Sequence, residues 1–146
     1  MIDFDGECAE LPLRRYDAGE VVIGEGGRTC ALFFLVSGKV QISRGGIVLA
    51  ELDEPGEIFG EISILLDRPH IVEVRAMVET EFRLAEDAAG FLRSHPELNL
   101  HLARALARRL DAVISYLADL KQQYGEDPGH LGMVHDVLGS LVHLRD

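Results

Sequence analysis

Cysteine is scarce in this 146-residue chain: Cys8 and Cys30 are its two thiols. They form no Cys-x-x-Cys pair and no iron–sulfur spacing, which excludes a dithiol redox couple and a cysteine-held cluster. Two reduced, separate thiols fit a cytoplasmic protein. Long apolar runs are also missing. Ala31 to Val36 is the longest, far below the roughly 20 residues a membrane-spanning helix needs. The acidic N-terminus lacks the basic start and apolar stretch of a signal peptide. Positive charge is in short supply: 14 Lys and Arg face 25 Asp and Glu, a net charge of −11. That balance opposes duplex DNA, whose readers carry a basic face. Arg104, Arg108 and Arg109 cluster locally, but beside Asp111 they read as a solvated helix face. No internal repeat or low-complexity segment is present. His95, His101, His130, His135 and His143 show no metal-ligand spacing, and the strand candidates contain no histidine. Ser63 beside Glu61 is the nearest thing to a nucleophile and base. No catalytic residue and no metal site is expected.

The chain length fits one domain with a core of its own. Its front half is short apolar stretches divided by glycine. Strands are expected at Val21–Ile23, Leu32–Val36, Lys39–Ser43, Val48–Leu52, Val72–Met77 and Glu81–Leu84. Gly45-Gly46 reads as a hairpin turn. Ser37-Gly38, Pro55-Gly56 and Asp67-Arg68-Pro69 mark further turns. Gly24 to Gly27 precedes no helix, so it reads as a plain turn, not a nucleotide loop. The back half is helical. Asp87 caps a short helix through Arg93, ended by His95-Pro96. Pro96 then suits the first turn of a long helix, Glu97 to about Tyr124. Its apolar positions Ala103, Leu106, Leu110, Val113, Leu117, Leu120 and Tyr124 alternate by three and four, a heptad seam. Such a stripe is narrower than a helix packed on its own domain shows. A last helix is expected at about Leu131 to Leu144, with Leu131, Val134, Leu138, Leu141 and Val142 on one face. The organisation expected is 1–96 as a β-roll, 97–124 as a dimerisation helix and 125–146 as a turn and short helix.

The most informative stretch is Phe59 to Ala76. Phe59-Gly60-Glu61 ends an extended segment and opens one apolar turn, Ile62 to Leu66, before Asp67-Arg68-Pro69 and a strand. A helix start offers unsatisfied N–H groups. Gly60 lets backbone approach a ligand, and Glu61 can accept from a sugar hydroxyl. Either residue can equally serve the turn alone, Gly60 by its conformation and Glu61 by its dipole position.

This stretch resembles the phosphate-binding cassette of the cyclic nucleotide-binding domain family, the sensor half of catabolite-activator and oxygen-regulator proteins. Tyr16-Asp17-Ala18-Gly19-Glu20, Gly26 and Leu35-Val36-Ser37-Gly38-Lys39-Val40 resemble the opening of that family's β-roll, so the likeness spans about residues 11 to 123. It implies a mainly β fold with α, a jelly-roll-like β-roll followed by a long helix that pairs in a parallel homodimer. Ala107-Arg108-Arg109-Leu110 resembles the family's dimer helix. It further implies candidate ligand contacts at Phe59, Gly60, Glu61, Ile62, Ser63, His70 and Ile71, and base contacts at Val113, Ile114 and Ser115. The oxygen sensors' N-terminal cysteine group is not matched, since Cys8 stands alone there.

The chain departs from the family at the atoms that hold phosphate and base. Where the family has an Arg and then a small or hydroxyl residue, this chain has His70 and Ile71. A bidentate Arg–phosphate contact is worth about 1.5–3 kcal/mol. His70 has two readings: a weaker, pH-sensitive phosphate donor, or an exposed turn residue after Pro69, the plainer expectation. Val113 and Ile114 stand where catabolite activators place hydroxyls on adenine. The implied function is a stand-alone, cytoplasmic, homodimeric regulatory module that binds cyclic AMP weakly or not at all. Two alternatives stay open: a genuine cyclic AMP or cyclic GMP receptor using His70, and an interaction scaffold docking another protein through its last helix. The residues after Gly125 are too few for a three-helix DNA reader, so a stand-alone module and a chain cut before a further domain are both compatible.

Overall fold

The computed structural model describes residues 8–124, 136–137 and 139–141, the Tyr124 side chain excepted. Eight strands form two four-stranded sheets. In chain order they are β1 Leu13–Tyr16, β2 Val21–Ile23, β3 Leu32–Ser37, β4 Val40–Arg44, β5 Ile47–Leu52, β6 Ile58–Phe59, β7 Glu73–Ala76 and β8 Thr80–Ala85. One sheet has the order β1-β8-β3-β6 and the other β2-β7-β4-β5. Every pairing is antiparallel. Helix α1, Glu61–Leu66, links β6 to β7, and α2, Ala88–Ser94, follows β8. Helix α3 runs from Pro96 to Tyr124.

The apolar pattern explains the layering. Phe82 is fully buried, and the rings of Tyr16, Phe33 and Phe59 meet it edge-on at 5.7, 5.9 and 6.0 Å. Residues of both sheets (Val22, Ile23, Val40, Val74 and Ala76 from one, Leu35 and Leu84 from the other) complete this core. Strand β3 is apolar on both faces because both are covered. Phe33 and Leu35 join the core, while Phe34 meets Phe91 of α2 at 6.0 Å. Burying a side chain of this size contributes roughly 1.5–3 kcal/mol, so the core holds the roll together.

The turns follow from glycine. Gly45 and Gly46 have φ of +58° and +81° and close the β4–β5 hairpin, as a type I′ turn requires. Asp87 accepts a hydrogen bond from Gly90 N and caps α2, as its side chain suggested. The expected strands are all present within a residue or two. Strand β1 was not expected, and it lies at a sheet edge paired with β8.

The described chain falls into two compact units, dividing between Pro96 and Glu97. The second unit is built on α3. Of the helix expected at Leu131 to Leu144, residues 136–137 and 139–141 are helical and the remainder lies outside the described residues. No helix of the described residues is long and apolar enough to cross a membrane.

Candidate functional site

The cassette is the link from β6 through α1 to β7. Phe59 pairs with Phe33 in the sheet and is buried, so the chain enters the link from a fixed point. Gly60 then takes φ +92°, and a Cβ there would stand 2.9 Å from the Ala31 carbonyl oxygen. Glycine is required on both counts. Glu61 and Ser63, on the buried side of α1, are each 6% exposed, and Ile62 is half-buried. The Ser63 carbonyl accepts from the amides of Asp67 and Arg68, and its hydroxyl donates to the Arg68 carbonyl. Ser63 therefore knots the turn that carries the chain to His70. Asp67 adopts φ +49° there, a region aspartate tolerates better than most residues.

His70 corrects the expectation of an exposed turn residue: it is 6% exposed. The reason lies far away in sequence. Gly26 N donates to the His70 carbonyl at 2.7 Å, and His70 N donates to the Gly27 carbonyl at 2.8 Å. Thr29 Oγ1 and His70 Nε2 are hydrogen-bonded at 2.7 Å. Nearer solvent, Arg28 pairs with Asp67 at 3.5 Å. The segment Gly24 to Gly27 is thus a turn, closed by Gly27 N on Gly24 O, and also a brace for the cassette. Its Glu25 accepts from Gly45 N at 2.9 Å, which ties the same loop to the β4–β5 hairpin.

Burial pushes the His70 imidazole below its ordinary value of 6.5, and the charge of Glu61 offsets part of that effect. The ring is therefore neutral near pH 7. A neutral imidazole carries one donor and one acceptor, in contrast to the fork of an arginine. Ile71, half-buried, adds no polar atom. Among the described residues no group of three or more His, Cys, Asp or Glu is placed to hold a metal ion.

The structure brings Phe59, Gly60, Glu61, Ile62, Ser63, His70 and Ile71 into one link. The His70 ring lies beside Gly60, its Cε1 3.7 Å from where a Cβ would stand. Val113, Ile114 and Ser115 belong to the second unit, on α3, where Val113 and Ser115 are exposed and Ile114 half-buried. Along the expected seam, Ala103, Leu110 and Val113 are exposed, and Leu106, Leu117 and Leu120 half-buried. The Tyr124 side chain lies outside the described residues. Sequence reasoning missed Gly26, Gly27, Arg28 and Thr29 as partners of the cassette. The one available signal was a glycine-rich turn with a hydroxyl residue shortly after it.

Comparison with known proteins agrees with this geometry. The family model for the cyclic nucleotide-binding domain matches residues 13–88. A CRP-like cAMP-activated global transcriptional regulator of Mycobacterium tuberculosis is 34% identical over 116 residues, 72% of this chain and 50% of the regulator. Glutaminase 2 of Bradyrhizobium diazoefficiens is 42% identical over 106 residues, 68% of this chain but 17% of that protein. The chain therefore spans half or less of these curated relatives. The crystal structure of Thermus thermophilus catabolite activator protein superposes with a TM-score of 0.65 at 25% identity, covering 95% of this chain and 80% of that one.

Proposed function

The chain belongs to the cyclic nucleotide-binding domain family, and from that membership we propose that it is a regulatory sensor module whose cassette binds cyclic AMP weakly or not at all. One observation carries this. At the position where the family resemblance expects an arginine stands a buried imidazole, neutral near pH 7 and hydrogen-bonded to Thr29. A hydrogen bond from a neutral donor contributes about 0.5–1.5 kcal/mol, one from a charged donor about 1.5–3. Exchanging the arginine's charged contact for a neutral one and losing the neighbouring hydroxyl together removes about 1.5–3 kcal/mol, roughly a ten- to hundredfold weaker hold on phosphate. Gly60 and Glu61 keep the sugar side of the cassette, which favours residual affinity for a cyclic nucleotide over none. The name of the Mycobacterium relative, a cAMP-activated regulator, supports that ligand class.

The same reading makes the module a cytoplasmic homodimer that joins through α3 and performs no catalysis of its own. The heptad seam and the exposure of Leu110 and Val113, at 42% and 48%, support the dimer. The net charge of −11 supports a small-molecule or protein partner in preference to nucleic acid.

Isothermal titration at pH 7 with cyclic AMP, cyclic GMP and cyclic di-GMP tests the reading. The expected dissociation constants are weaker than about 1 μM, or −8.2 kcal/mol. Submicromolar binding of cyclic AMP or cyclic GMP overturns it and establishes a genuine receptor.

A further inference from the structure

The two ends of the β-roll differ in charge. Strand order and register place the β1–β2, β3–β4, β5–β6 and β7–β8 connections at the end away from the cassette. Those connections carry Asp17, Glu20, Asp53, Glu54, Glu57 and Glu79 against one cation, Lys39, which is itself paired with Glu51 at 3.0 Å. At the cassette end the connections carry Glu25, Glu61 and Asp67 against Arg28 and Arg68, close to balance. The acidic excess of the loops is therefore gathered at one end. Arg15, at the margin of that end, registers the field. Its hydrogen bond to Glu81 and the charges of Glu79, Glu81 and Asp17 hold its guanidinium above the ordinary value.

Apolar side chains stand among these carboxylates. Val21, Val36, Met77 and Val78 lie at the same end and are each between 37% and 46% exposed. The loops around them are tied to one another. Gly19 N donates to the Ala76 carbonyl at 2.7 Å, and Ala76 N to the Glu20 carbonyl at 2.9 Å. Met77 N donates to the Lys39 carbonyl, and Gly56 N to the Leu35 carbonyl, each at 2.8 Å. A surface already fixed by backbone hydrogen bonds loses little freedom when something binds to it.

We propose that this end of the roll docks a partner protein through a basic amphipathic segment, whose apolar side chains cover Val36, Met77 and Val78 and whose lysines or arginines meet the surrounding carboxylates. Exposed apolar residues rimmed by polar ones mark contact surfaces, and complementary charge steers and selects the partner. Met77 brings a flexible thioether that adapts to varied apolar neighbours. A metal ion fits poorly, because among the described residues no three His, Cys, Asp or Glu are placed to hold one. Nucleic acid and anionic lipid are repelled by the same carboxylates. The surface lies at the opposite end of the roll from the cassette, so it stands or falls independently of cyclic AMP binding.

Amide NMR of the whole chain, titrated with a designed amphipathic peptide of lysine and leucine, tests the surface. Shifts are expected in residues 17–20, 36–39, 53–57 and 77–79. A glutamate–leucine peptide of the same pattern should shift none of them, and a lysine–serine peptide should bind at least about tenfold more weakly. Asp53→Asn with Glu54→Gln, both exposed in the wild type, should weaken the lysine–leucine peptide roughly threefold or more. Met77→Ser with Val78→Ser should weaken it about tenfold. Shifts centred instead on Ile47 to Leu49, the exposed apolar tip at the cassette end, or spread over the whole chain, overturn the proposal. Equal binding of the lysine–serine peptide overturns it too, since charge alone would then suffice. Wild-type affinity in either double variant does the same. Should the Met77–Val78 variant fail to fold, the Asp53–Glu54 variant and the three peptides decide. A dilution series of the chain alone should leave these loops unmoved; concentration-dependent shifts there would assign the surface to a second copy and overturn the basic partner.

Discussion

Replacing His70 by Arg and Ile71 by Ser should move stability and affinity in opposite directions. In the free protein the change removes the Thr29–His70 hydrogen bond, leaves a half-buried hydroxyl to find water, and exchanges a half-buried isoleucine for serine. A lost buried hydrogen bond costs about 1–3 kcal/mol, so the variant should lose about 2 kcal/mol. At this chain length that lowers the melting temperature by about 6 °C. Towards cyclic AMP the arginine replaces a neutral contact with a charged, bidentate one, a gain of about 1–1.5 kcal/mol, and the introduced serine hydroxyl adds about 0.5–1.5. The net expectation is at least about tenfold tighter binding, or 1.4 kcal/mol. Calorimetry gives the affinities directly. Melting with ligand at 100 times the variant's dissociation constant should restore about 2.7 kcal/mol to the variant and far less to the wild type. Submicromolar binding by the wild type refutes the weak cassette. An unimproved double mutant refutes the claim that the missing fork limits binding.

Leu110→Asp with Leu117→Asp should yield a monomer, because a buried like-charge seam is strongly unfavourable; light scattering that finds the wild type already monomeric at micromolar concentration refutes the dimer. Gly38→Ala should cost about 3 kcal/mol or more in urea unfolding. Gly38 has φ +102°, and a Cβ would stand 2.6 Å from Thr80 Cα and 2.7 Å from the Glu79 carbonyl oxygen, backbone that cannot move aside; a loss below about 1 kcal/mol refutes the strain argument. Stability should also depend on pH through His70. Its folded value lies below the unfolded one, so the unfolded ring takes a proton first as pH falls. The contribution is whole above 6.5 and declines as pH drops from there towards the folded value. Urea unfolding of wild type and His70→Gln between about pH 7.5 and 5 should show the steeper loss in the wild type, and parallel curves refute the shift.

The fold was legible because its signals are local and ordered. Gly45-Gly46 announced a hairpin that the structure closes with two positive φ values. Asp87 announced α2 and bonds Gly90 as expected. Strand β1 was not legible for a physical reason. Leu13, Arg14 and Arg15 are exposed and Tyr16 half-buried, so the segment has no apolar alternation. It is a strand because β8 pairs with it and because Arg15 bonds Glu81. Edge strands of this kind are set by their neighbour and carry little pattern of their own.

His70 shows the same limit at the site itself. Asp67-Arg68-Pro69 is a strong turn signal, and a residue after such a turn is ordinarily exposed. Its burial comes from Gly26, Gly27 and Thr29, and the Thr29–His70 pair is separated by 41 positions in the chain. No local periodicity reports a contact at that distance. The chemistry of the substitution nevertheless explains why such contacts exist. An arginine brings a charge, five donors and a long arm, and finds a phosphate with little help from its surroundings. An imidazole is short, and its role depends on which nitrogen carries the proton. It becomes a defined binding group only when another group settles that choice. The β2–β3 loop holds the ring's place through the Thr29–Nε2 hydrogen bond, and it anchors the main chain on either side of the ring's Cα. Exchanging Arg for His at this position is therefore a change of cassette and loop together, from a site organised by charge to one organised by hydrogen-bond geometry.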